Sequence, residues 1–513
     1  MKKPDMYITT PVYYVNSRPH IGHTYTTVVS DIVKRYYKLF GRQVYFLTGT
    51  DEHGEKIAVA ANKEGKDVVT FVDENSKRFR DVWNLLGIEY DDFIRTTEQR
   101  HQKVVKYILQ KLYDSGDIYF SSYEGKYCLG CERFINESEL IDGKCPDHGT
   151  SPSTVKEENY FFKMGKYTQV LKEHIEKNKD MIRPEWYRKE VLGYLNEKVD
   201  DLCISRPKSR VSWGIALPFD NNFVTYVWFD ALVNYISAIG YPDSPDFKDF
   251  WDVSEHFIAK DILRTHTIYW GTMLLSLGLP LYRHLNVHGY WNMSGMKMSK
   301  SIGNVVDPEE FKNIYGDDSL RFFFLREMHW GEDSDFTMER FIGRYNTDLA
   351  NNYGNLISRT MGMVEKYYKG QDTISISSKL DEKHFLKEAT LELIASYKKD
   401  FRNYDFYKTL ELMWRLFDNA NKYIADSKPW ELFKNNDKKE LDKVISSVLE
   451  VIRITTYMLV PVMPGSCDKI LTELGCPNYR DELFDEFTQW GHIDKMNSKY
   501  KNRKFFDKIE AQA

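Results

Sequence analysis

The sequence contains no apolar run approaching the roughly 18 residues that a membrane-spanning helix needs. Its first residues, Met1 to Asp5, lead directly into a strand-like segment, Met6–Thr9, which leaves no room for a signal peptide. It also has no low-complexity segment and no convincing internal repeat. These absences argue against membrane, secreted and repeat proteins, and we expect a cytosolic (cytoplasmic) protein that makes no membrane contact.

Neither sign of charge is in large excess, since 71 Lys and Arg stand against 76 Asp and Glu, a net charge of −5. Any RNA contact must therefore use local basic surface. Cysteine is scarce, with six in 513 residues. Three of the six, Cys128, Cys131 and Cys145, lie close together. In a long chain without a secretion signal such a cluster favours metal binding over disulfides.

The first 115 residues alternate between strand-like and helix-like segments. This pattern predicts an α/β domain with a parallel sheet and with ligands at the carboxyl ends of its strands. Predicted strands are Met6–Thr9 and Val44–Thr48, and predicted helices are residues 22–40, a segment after Gly54, Val69–Leu86 and Thr96–Leu112. After residue 340, long apolar stripes are typical of an α-helical bundle. The predicted helices there are Arg344–Tyr368, Glu382–Phe401, Phe406–Ala425 and Lys438–Leu459.

Changes in the pattern of strand-like, helix-like and irregular segments predict six regions along the chain. They are the first half of a Rossmann-like domain (1–115), an inserted module (116–226), the second half of the Rossmann-like domain (227–290), a junction region (291–343), a helical domain (344–480) and a tail (481–513).

The first chemical motif is His20-Ile21-Gly22-His23, after the first strand and at the start of a helix. Gly22 permits close backbone approach, and a helix start offers N–H groups and a positive dipole end to phosphate. His20 and His23 can donate hydrogen bonds to a phosphate that gains charge. Taken alone, the four residues are equally compatible with a loop whose histidines only cap or pack.

The second motif is Lys297-Met298-Ser299-Lys300-Ser301, flanked by Gly295 and Gly303 as in a mobile loop. Its two lysines can meet the phosphates of a triphosphate together. Taken alone it is more typical of a solvated loop, but chance is a poor explanation for both motifs in this order.

Together the two motifs resemble the HIGH and KMSKS signatures of class I aminoacyl-tRNA synthetases, and 297–301 matches the second at every position. The resemblance implies that an amino acid attacks the α-phosphate of ATP to give an aminoacyl-adenylate and pyrophosphate, and that tRNA then takes the acyl group. It implies that His20, Gly22, His23, Lys297, Ser299 and Lys300 bind ATP, with Mg²⁺ on the pyrophosphate. His20, His23, Lys297 and Lys300 would also be catalytic.

Four further stretches resemble methionyl-tRNA synthetases: Thr10–Asn16, Thr48–Gly54, Val227–Leu232 and His256–Ile262. Carried over by position, Asp51 binds the substrate ammonium and Asp261 helps to organise the adenylate site as a catalytic residue. The methionine side-chain pocket consists of Val12, Tyr14, Trp228, Ala231, Leu232, Tyr235, Ile262, His266 and Trp270. Aromatic rings contact sulfur favourably, by about 0.3–1.5 kcal/mol. Without these four stretches, the same aromatic residues would be more typical of an ordinary hydrophobic core. Ala259 stands where the family usually has glycine.

A metal site is predicted by Cys128-x-x-Cys131 and, thirteen residues later, Cys145-Pro146-Asp147-His148. Four such ligands suit tetrahedral Zn²⁺ and leave no open position for catalysis, so one structural zinc per chain is expected. The alternative is free thiols with an incidental histidine.

A tRNA-reading surface is implied by Asn351–Arg359, which resembles the family's anticodon-reading helix. Asn355 and Arg359 share one helical face, and Pro429-Trp430 would present an indole for base stacking. Singly, each of these residues is more typical of a structural role.

The implied partners are ATP, L-methionine and tRNA(Met), including the initiator, and we expect a monomer. Two alternatives stay open: a class I synthetase for leucine, isoleucine, valine or cysteine, and a non-catalytic tRNA-binding protein derived from a synthetase. The segment 116–226 is too short for the large editing insertion expected of the first three.

Overall fold

The computed structural model describes residues 3–16, 18–128, 133–135, 140–146, 149–293, 296–297, 306–376, 380 and 383–510. The chain forms two compact units. The first comprises Met1–Ser30 and Gln43–His288, and the second comprises Asp31–Arg42 and Gly289–Ala513.

The first unit contains twelve described strands. In chain order they are β1 Met6–Tyr14, β2 Val44–Asp51, β3 Asp92–Arg95, β4 Ile118–Cys128, β5 Arg133–Ile135, β6 Ser153–Phe162, β7 Ile182–Arg183, β8 Leu202–Cys203, β9 Ser205–Pro207, β10 Phe223–Thr225, β11 Ser254–Ala259 and β12 His284–His288. Six of them form a sheet of order β3-β2-β1-β11-β12-β7, in which every neighbouring pair is parallel. The predicted parallel α/β sheet is confirmed.

The strand order of this sheet reverses between β1 and β11. From β1 the chain adds β2 and β3 on one side, whereas β11 and β12 lie on the other. In open α/β sheets such a switch point leaves a crevice at the carboxyl ends of the two central strands, where ligands bind. Ligand-binding residues are therefore expected directly after Tyr14, at the end of β1, and after Ala259, at the end of β11.

Helices of the first unit connect these strands. They are α1 Ile21–Leu39, whose second half belongs to the second unit, α2 Glu55–Lys63, α3 Val68–Leu85, α4 Gln99–Asp114, α5 Thr168–Lys177, α6 Glu185–Tyr194, α7 Val227–Leu232, α8 Asn234–Ser237, α9 Phe247–Trp251 and α10 Trp270–Ser276. A 3₁₀ turn, Lys260–Ile262, and a π-helix, Thr265–Tyr269, precede α10. Helix α1 has an apolar face that includes Val28, Ile32 and Tyr36, all of which are buried.

Within the predicted insertion, a second sheet has the order β5-β4-β6-β8 and is antiparallel. Its longest ladder joins β4 to β6, from Ile118↔Phe162 to Tyr127↔Ser153. β9 and β10 form a separate antiparallel pair. Strand β7, from the same segment of chain, instead completes the parallel sheet.

The second unit is mainly helical in its described residues, which confirms the predicted helical region. Its helices are α11 Pro308–Tyr315, α12 Asp317–Glu327, α13 Met338–Arg344, α14 Gly354–Tyr367, α15 Phe385–Lys399, α16 Phe406–Ser427, α17 Pro429–Lys434, α18 Lys438–Leu459, α19 Pro464–Leu474 and α20 Phe484–Phe487. Its strands are β13 Trp291–Met293, β14 Met296–Lys297, β15 Ser334–Asp335, β16 Thr373–Ser375 and β17 Lys495–Asn497.

Helix α18 is deeply buried in the second unit: every residue from Leu441 to Leu459 except Lys443 is buried. It carries buried charges, such as Glu450 and Arg453, which form an ion pair. No helix in the described part of the chain is long and apolar enough to cross a membrane.

Candidate active site

The two histidines of the first motif lie where β1 leads into α1. Their rings stack with centroids 3.8 Å apart. The Gly22 N–H donates to Nδ1 of His20 at 3.1 Å, and the His20 N–H donates to Nδ1 of His23 at 3.4 Å. Because Nδ1 accepts in both rings, the proton of each neutral imidazole lies on Nε2.

Gly22 leaves room for the His20 ring. A Cβ at residue 22 would lie 3.0 Å from Cε1 and 3.1 Å from Nδ1 of His20, so the imidazole would have to shift by a few tenths of an ångström. The glycine therefore lets the His20 ring lie close against the start of the helix.

The end of β2 places Asp51 beside β1. Asp51 is 4% exposed, and its Cα is paired with that of Tyr14. The next side chain, Glu52, is fully buried and receives a two-pronged ion pair from Arg95 at 2.7 and 2.8 Å. A buried carboxylate at the carboxyl end of a central strand suits the binding of an ammonium group.

A buried carboxylate shared by two imidazoles adjoins this strand end, and the sequence interpretation missed it. Asp230 of α7 accepts from Nδ1 of His53 at 2.6 Å and from Nε2 of His101 at 2.7 Å. Burial by itself would raise the pKa of Asp230, but the two imidazoles hold it below its usual value. One signal was available for His101, which lies on the apolar face of α4 with Val105, Ile108 and Leu112.

The predicted methionine pocket includes a hydrogen-bonded pair, Tyr235 and His266. Nδ1 of His266 donates to the Ile262 carbonyl oxygen at 2.9 Å, so Nε2 of the neutral ring accepts from the Tyr235 hydroxyl at 2.7 Å. Burial lowers the pKa of His266 to about 4, against smaller opposing effects of the Ile262 carbonyl and Asp261. Half-buried Trp228 lies edge-on to this ring, with centroids 6.4 Å apart.

Trp270 belongs to the core behind this pair. It is fully buried and donates through Nε1 to Nε2 of His256 at 3.4 Å, while its ring centroid lies 6.0 Å from that of Tyr235. Burial drives the pKa of His256 well below its usual value.

The remaining predicted pocket residues belong to the apolar cluster that contains Tyr235 and Trp270, pack against it, or lie beside it on α7. Leu232 is in its buried part, Val12, Tyr14, Trp228 and Ile262 pack against it half-buried, and Ala231 is buried beside Leu232 on α7. The Tyr14 hydroxyl donates to the His53 carbonyl oxygen at 3.0 Å. The predicted methionine side-chain residues thus all lie in the first unit, in or against this apolar cluster, beside it on α7 or, for His266, hydrogen-bonded to its member Tyr235.

Asp261 lies in the turn after β11, on the other side of the switch point from α1, and its side chain is exposed. Ala259, two residues earlier and directly before this turn, has φ −80° and ψ 155°. This is ordinary extended backbone, so alanine replaces the family's glycine without conformational strain.

The second motif falls mostly outside the described residues. The backbone of Lys297 is in β14, paired with Asn292, but its side chain is not described. Ser299, Lys300 and Ser301 lie outside the described residues altogether.

The predicted zinc ligands are also only half described. Cys128 ends β4 and Cys145 lies in a turn, where the Gly149 N–H donates to its carbonyl oxygen at 2.8 Å. The two cysteines are each 1% exposed and pack together with Leu140. Cys131 and His148 are outside the described residues, among which no group of three metal-binding side chains occurs.

The predicted anticodon residues meet on the second unit. Asn355 is exposed on the first turn of α14, and the Arg359 guanidinium lies over the Trp430 ring, 5.9 Å from its centroid. Trp430 is 43% exposed at the start of α17, behind the buried Pro429.

Asn355 also lines a groove of about 810 Å³ between α14 and the C-terminal tail. The tail contributes the basic residues Lys501, Arg503, Lys504 and Lys508, and no described side chain that lines the groove is acidic. Such a groove can attract phosphate, although Arg503 is also paired with Glu365 at 2.8 Å.

Two family models match the chain. One, described as tRNA synthetases class I (M), matches residues 6–153 and 138–361. The other, described as the anticodon binding domain of methionyl tRNA ligase, matches residues 377–512. These ranges include every candidate residue named above.

Curated relatives and solved structures agree with these models. Methionine–tRNA ligases of Fusobacterium nucleatum and Clostridium acetobutylicum are 41% and 44% identical, over 99% and 92% of this chain and 81% and 74% of those proteins. A crystal structure of Mycobacterium tuberculosis methionyl-tRNA synthetase bound by methionyl-adenylate is similar with a TM-score of 0.86 at 38% identity, covering 93% of this chain and 95% of that one. The apo form of the same enzyme has a TM-score of 0.82 at 32% identity, covering 99% and 98%.

Proposed function

The chain belongs to the methionyl-tRNA synthetase family, and from that premise we propose which of its residues carry each step of the reaction. It is a methionine–tRNA ligase: it activates L-methionine with ATP and transfers the methionyl group to the 3′-terminal ribose of tRNA(Met), including the initiator. The comparisons support this enzyme and not the non-catalytic tRNA-binding protein. The observation that carries the assignment of the site is that the His20 motif follows β1, Asp51 ends β2 and Asp261 follows β11, three strands that are adjacent in the sheet and include both strands of the switch point.

In the activation step, the methionine carboxylate oxygen attacks the α-phosphorus of ATP and pyrophosphate leaves. We assign to His20 and His23 the stabilisation of the charge that builds up on the phosphate oxygens, because Nε2 of each ring carries the proton. Gly22 lets the phosphate approach the helix start. Asp261, on the opposite side of the crevice, orients the adenylate, and Mg²⁺ bound with ATP supplies charge neutralisation for the pyrophosphate.

We also assign ATP binding to Lys297, Ser299 and Lys300. Two ammonium groups three residues apart match the spread of negative charge on a triphosphate, and the serine leaves room for it. This part of the proposal rests on the sequence motif.

Methionine is proposed to bind with its ammonium on Asp51 and its side chain against Trp228, Tyr235 and His266. Because His266 is neutral and hydrogen-bonded on both nitrogens, it presents an uncharged wall to the thioether. Val12, Tyr14, Ala231, Leu232 and Ile262 would close the pocket, with Trp270 supporting Tyr235 from behind.

In the transfer step, a hydroxyl of the terminal ribose attacks the carbonyl carbon of the adenylate and AMP leaves. We propose that the anticodon is read by Asn355 and Arg359 of α14, with Trp430 as a stacking surface and Pro429 fixing the start of α17. The basic groove beside Asn355 supports this proposal, since anticodon bases come with phosphates attached.

We also propose one structural zinc per chain, held by Cys128, Cys131, Cys145 and His148. The buried contact of Cys128 with Cys145 supports it, because thiol ligands from the two halves of the motif already lie together. The zinc would hold the inserted module and take no part in the reaction.

The function is tested by incubating the chain with radiolabelled methionine, ATP and tRNA(Met). Labelled tRNA and AMP should form in equal amounts, and both should require all three substrates. A chain that binds tRNA but releases no AMP would contradict the assignment.

A further inference from the structure

The first unit contains a buried cluster whose contacts the reaction itself does not explain. Asp230, His53 and His101 are at most 4% exposed and come from α7, the segment after β2, and α4. Each carboxylate oxygen of Asp230 accepts from one imidazole, at 2.6 and 2.7 Å. The cluster therefore links three elements that are far apart in the sequence.

Both histidines make a further hydrogen bond, His101 through its ring and His53 through its backbone. Nδ1 of His101 lies 2.8 Å from the Ser237 hydroxyl, which lies 3.3 Å from the Asn234 carbonyl oxygen. The backbone of His53 accepts from the Tyr14 hydroxyl at 3.0 Å. A buried carboxylate with this many well-formed partners strongly resists displacement, because breaking such a network leaves a buried charge unpaired.

The elements joined by the cluster are the two sides of the proposed methionine site. Asp230 lies on α7 between Trp228 and the pair Ala231 and Leu232, which form the side-chain wall. His53 is two residues beyond Asp51. Glu52, which lies between Asp51 and His53, forms an ion pair with Arg95. The carboxyl end of β2 is therefore held by Arg95 as well as by Asp230.

We propose that Asp230 is a positioning residue for methionine, which through His53 and His101 fixes the α7 wall of the pocket relative to the ammonium-binding end of β2. This inference rests on the proposed location of the pocket. The cluster of Asp230, His53 and His101 would then help to determine the specificity for methionine, since an apolar pocket discriminates a single methylene only when its walls are held in place.

The test uses Asp230→Ala and Asp230→Asn. Alanine removes both links. Asparagine keeps both, since its amide oxygen accepts from His53 while its amide N–H₂ donates to Nε2 of His101, whose proton moves to Nδ1 facing Ser237. The assay is ATP–pyrophosphate exchange with methionine and with ethionine, which is one methylene longer.

For Asp230→Ala we expect the KM for methionine to rise at least about tenfold and the preference for methionine over ethionine in kcat/KM to fall at least about fivefold, within the range of methylene discrimination. The KM for ATP should stay within about twofold of the native value, because the ATP site lies on other residues. Asp230→Asn should stay within about threefold of native in every parameter. A residue that only supported the fold would lower the active fraction and leave the ratio of the two substrates unchanged.

Asp117→Ala is the matched control. Asp117 is a 3% exposed carboxylate of the same unit that accepts from Lys166 and Tyr167. Its loss should lower stability and leave the methionine KM and the substrate preference as they are.

The proposal is overturned if Asp230→Ala leaves the methionine KM unchanged, raises the KM values for methionine and ATP alike, or matches Asp230→Asn. If Asp230→Ala does not fold, His101→Phe keeps the ring and removes one link; an unchanged substrate preference would then overturn it. An Asp51→Asn variant distinguishes a failure of the proposed pocket from a failure of the inference about Asp230. If Asp51→Asn leaves methionine binding intact, the pocket assignment fails. If Asp51→Asn weakens methionine binding and Asp230→Ala does not, this inference alone fails.

Discussion

Single hydrogen bonds decide which nitrogen of each imidazole in the site carries the proton. In His20 and His23, Nδ1 accepts from backbone N–H groups, so Nε2–H is the donor. In His266 the order is reversed, because Nδ1 donates to a carbonyl oxygen and Nε2 accepts from Tyr235. In the proposed site, the same residue type would therefore bind a phosphate in one place and contact an apolar thioether in another.

At Asp51, substitution by asparagine should raise the KM for methionine at least about tenfold, because the charge-assisted bond to the ammonium is worth about 1.5–3 kcal/mol. The KM for ATP should not change. ATP–pyrophosphate exchange at varied methionine measures both. Asp67→Asn is the control, since Asp67 caps α3 through the Thr70 N–H and asparagine caps equally well. An unchanged methionine KM in Asp51→Asn would remove Asp51 from the site.

At His266, the lowered pKa predicts a pH-dependent loss of stability. The unfolded ring, with an ordinary pKa of 6.5, binds a proton that the folded ring, at about 4, does not, so the free energy of unfolding falls as the pH drops from about 6.5 to 4. At about 1.4 kcal/mol per pKa unit, this loss is about 3 kcal/mol.

Urea unfolding of the native chain and of His266→Leu across this range checks the prediction. The variant lacks the titration, so its stability deficit relative to the native chain should shrink as the pH falls. A deficit that stays constant between pH 7 and 4 would show that His266 does not titrate abnormally.

At the scale of helices and strands, elements with a local signal were predictable and those that depend on distant contacts were not. The predicted Phe406–Ala425 and Lys438–Leu459 correspond closely to α16 and α18, because an apolar stripe at helical spacing is a local property. The predicted helix Arg344–Tyr368 is instead interrupted by a π-helix, Tyr345–Tyr353. Its asparagines bond outside the helix: Asn346 to Ile509 and Asn352 to Asp418.

The same division holds for the candidate site. The His20 motif and Asp51 were found because each is read from a short stretch next to a strand. The link between Asp230, His53 and His101 was missed because it joins residues 177 and 129 positions apart, which no spacing rule detects. Likewise, the alternation of strands and helices predicted a parallel sheet, whereas the place of β7 at its edge depends on non-local pairing.

Helix α17 offers a matched test of the tRNA surface, since Trp430 and Phe433 are both 43% exposed. Trp430→Ala should reduce tRNA charging at least about fivefold, because base stacking on an aromatic ring is worth about 1–3 kcal/mol, and should leave ATP–pyrophosphate exchange intact. Phe433→Ala, which removes a ring stacked on Tyr367, should reduce neither activity. If exchange and charging fall together in Trp430→Ala, the indole supports the fold and does not read the anticodon.

For the molecule as a whole, zinc is predicted to hold the inserted module, with a stoichiometry of one per chain. Metal analysis of protein purified without chelator should find one equivalent, and Cys145→Ala should lower both the zinc content and the melting temperature. Cys203→Ala, which removes a buried thiol outside the motif, should keep the metal. Less than half an equivalent in the native chain would contradict the site. The monomer stays a prediction, which sedimentation would check.

This chain activates methionine with ATP, and we propose that it does so at the switch point of its parallel sheet. The decisive experiment is ATP–pyrophosphate exchange in the absence of tRNA, with methionine, leucine, isoleucine, valine and cysteine offered separately to the native chain and to Lys300→Ala. We expect exchange with methionine alone, and its loss by orders of magnitude in Lys300→Ala with methionine binding unchanged. Exchange driven by another of these amino acids, or near-normal turnover in Lys300→Ala, would rule out this mechanism.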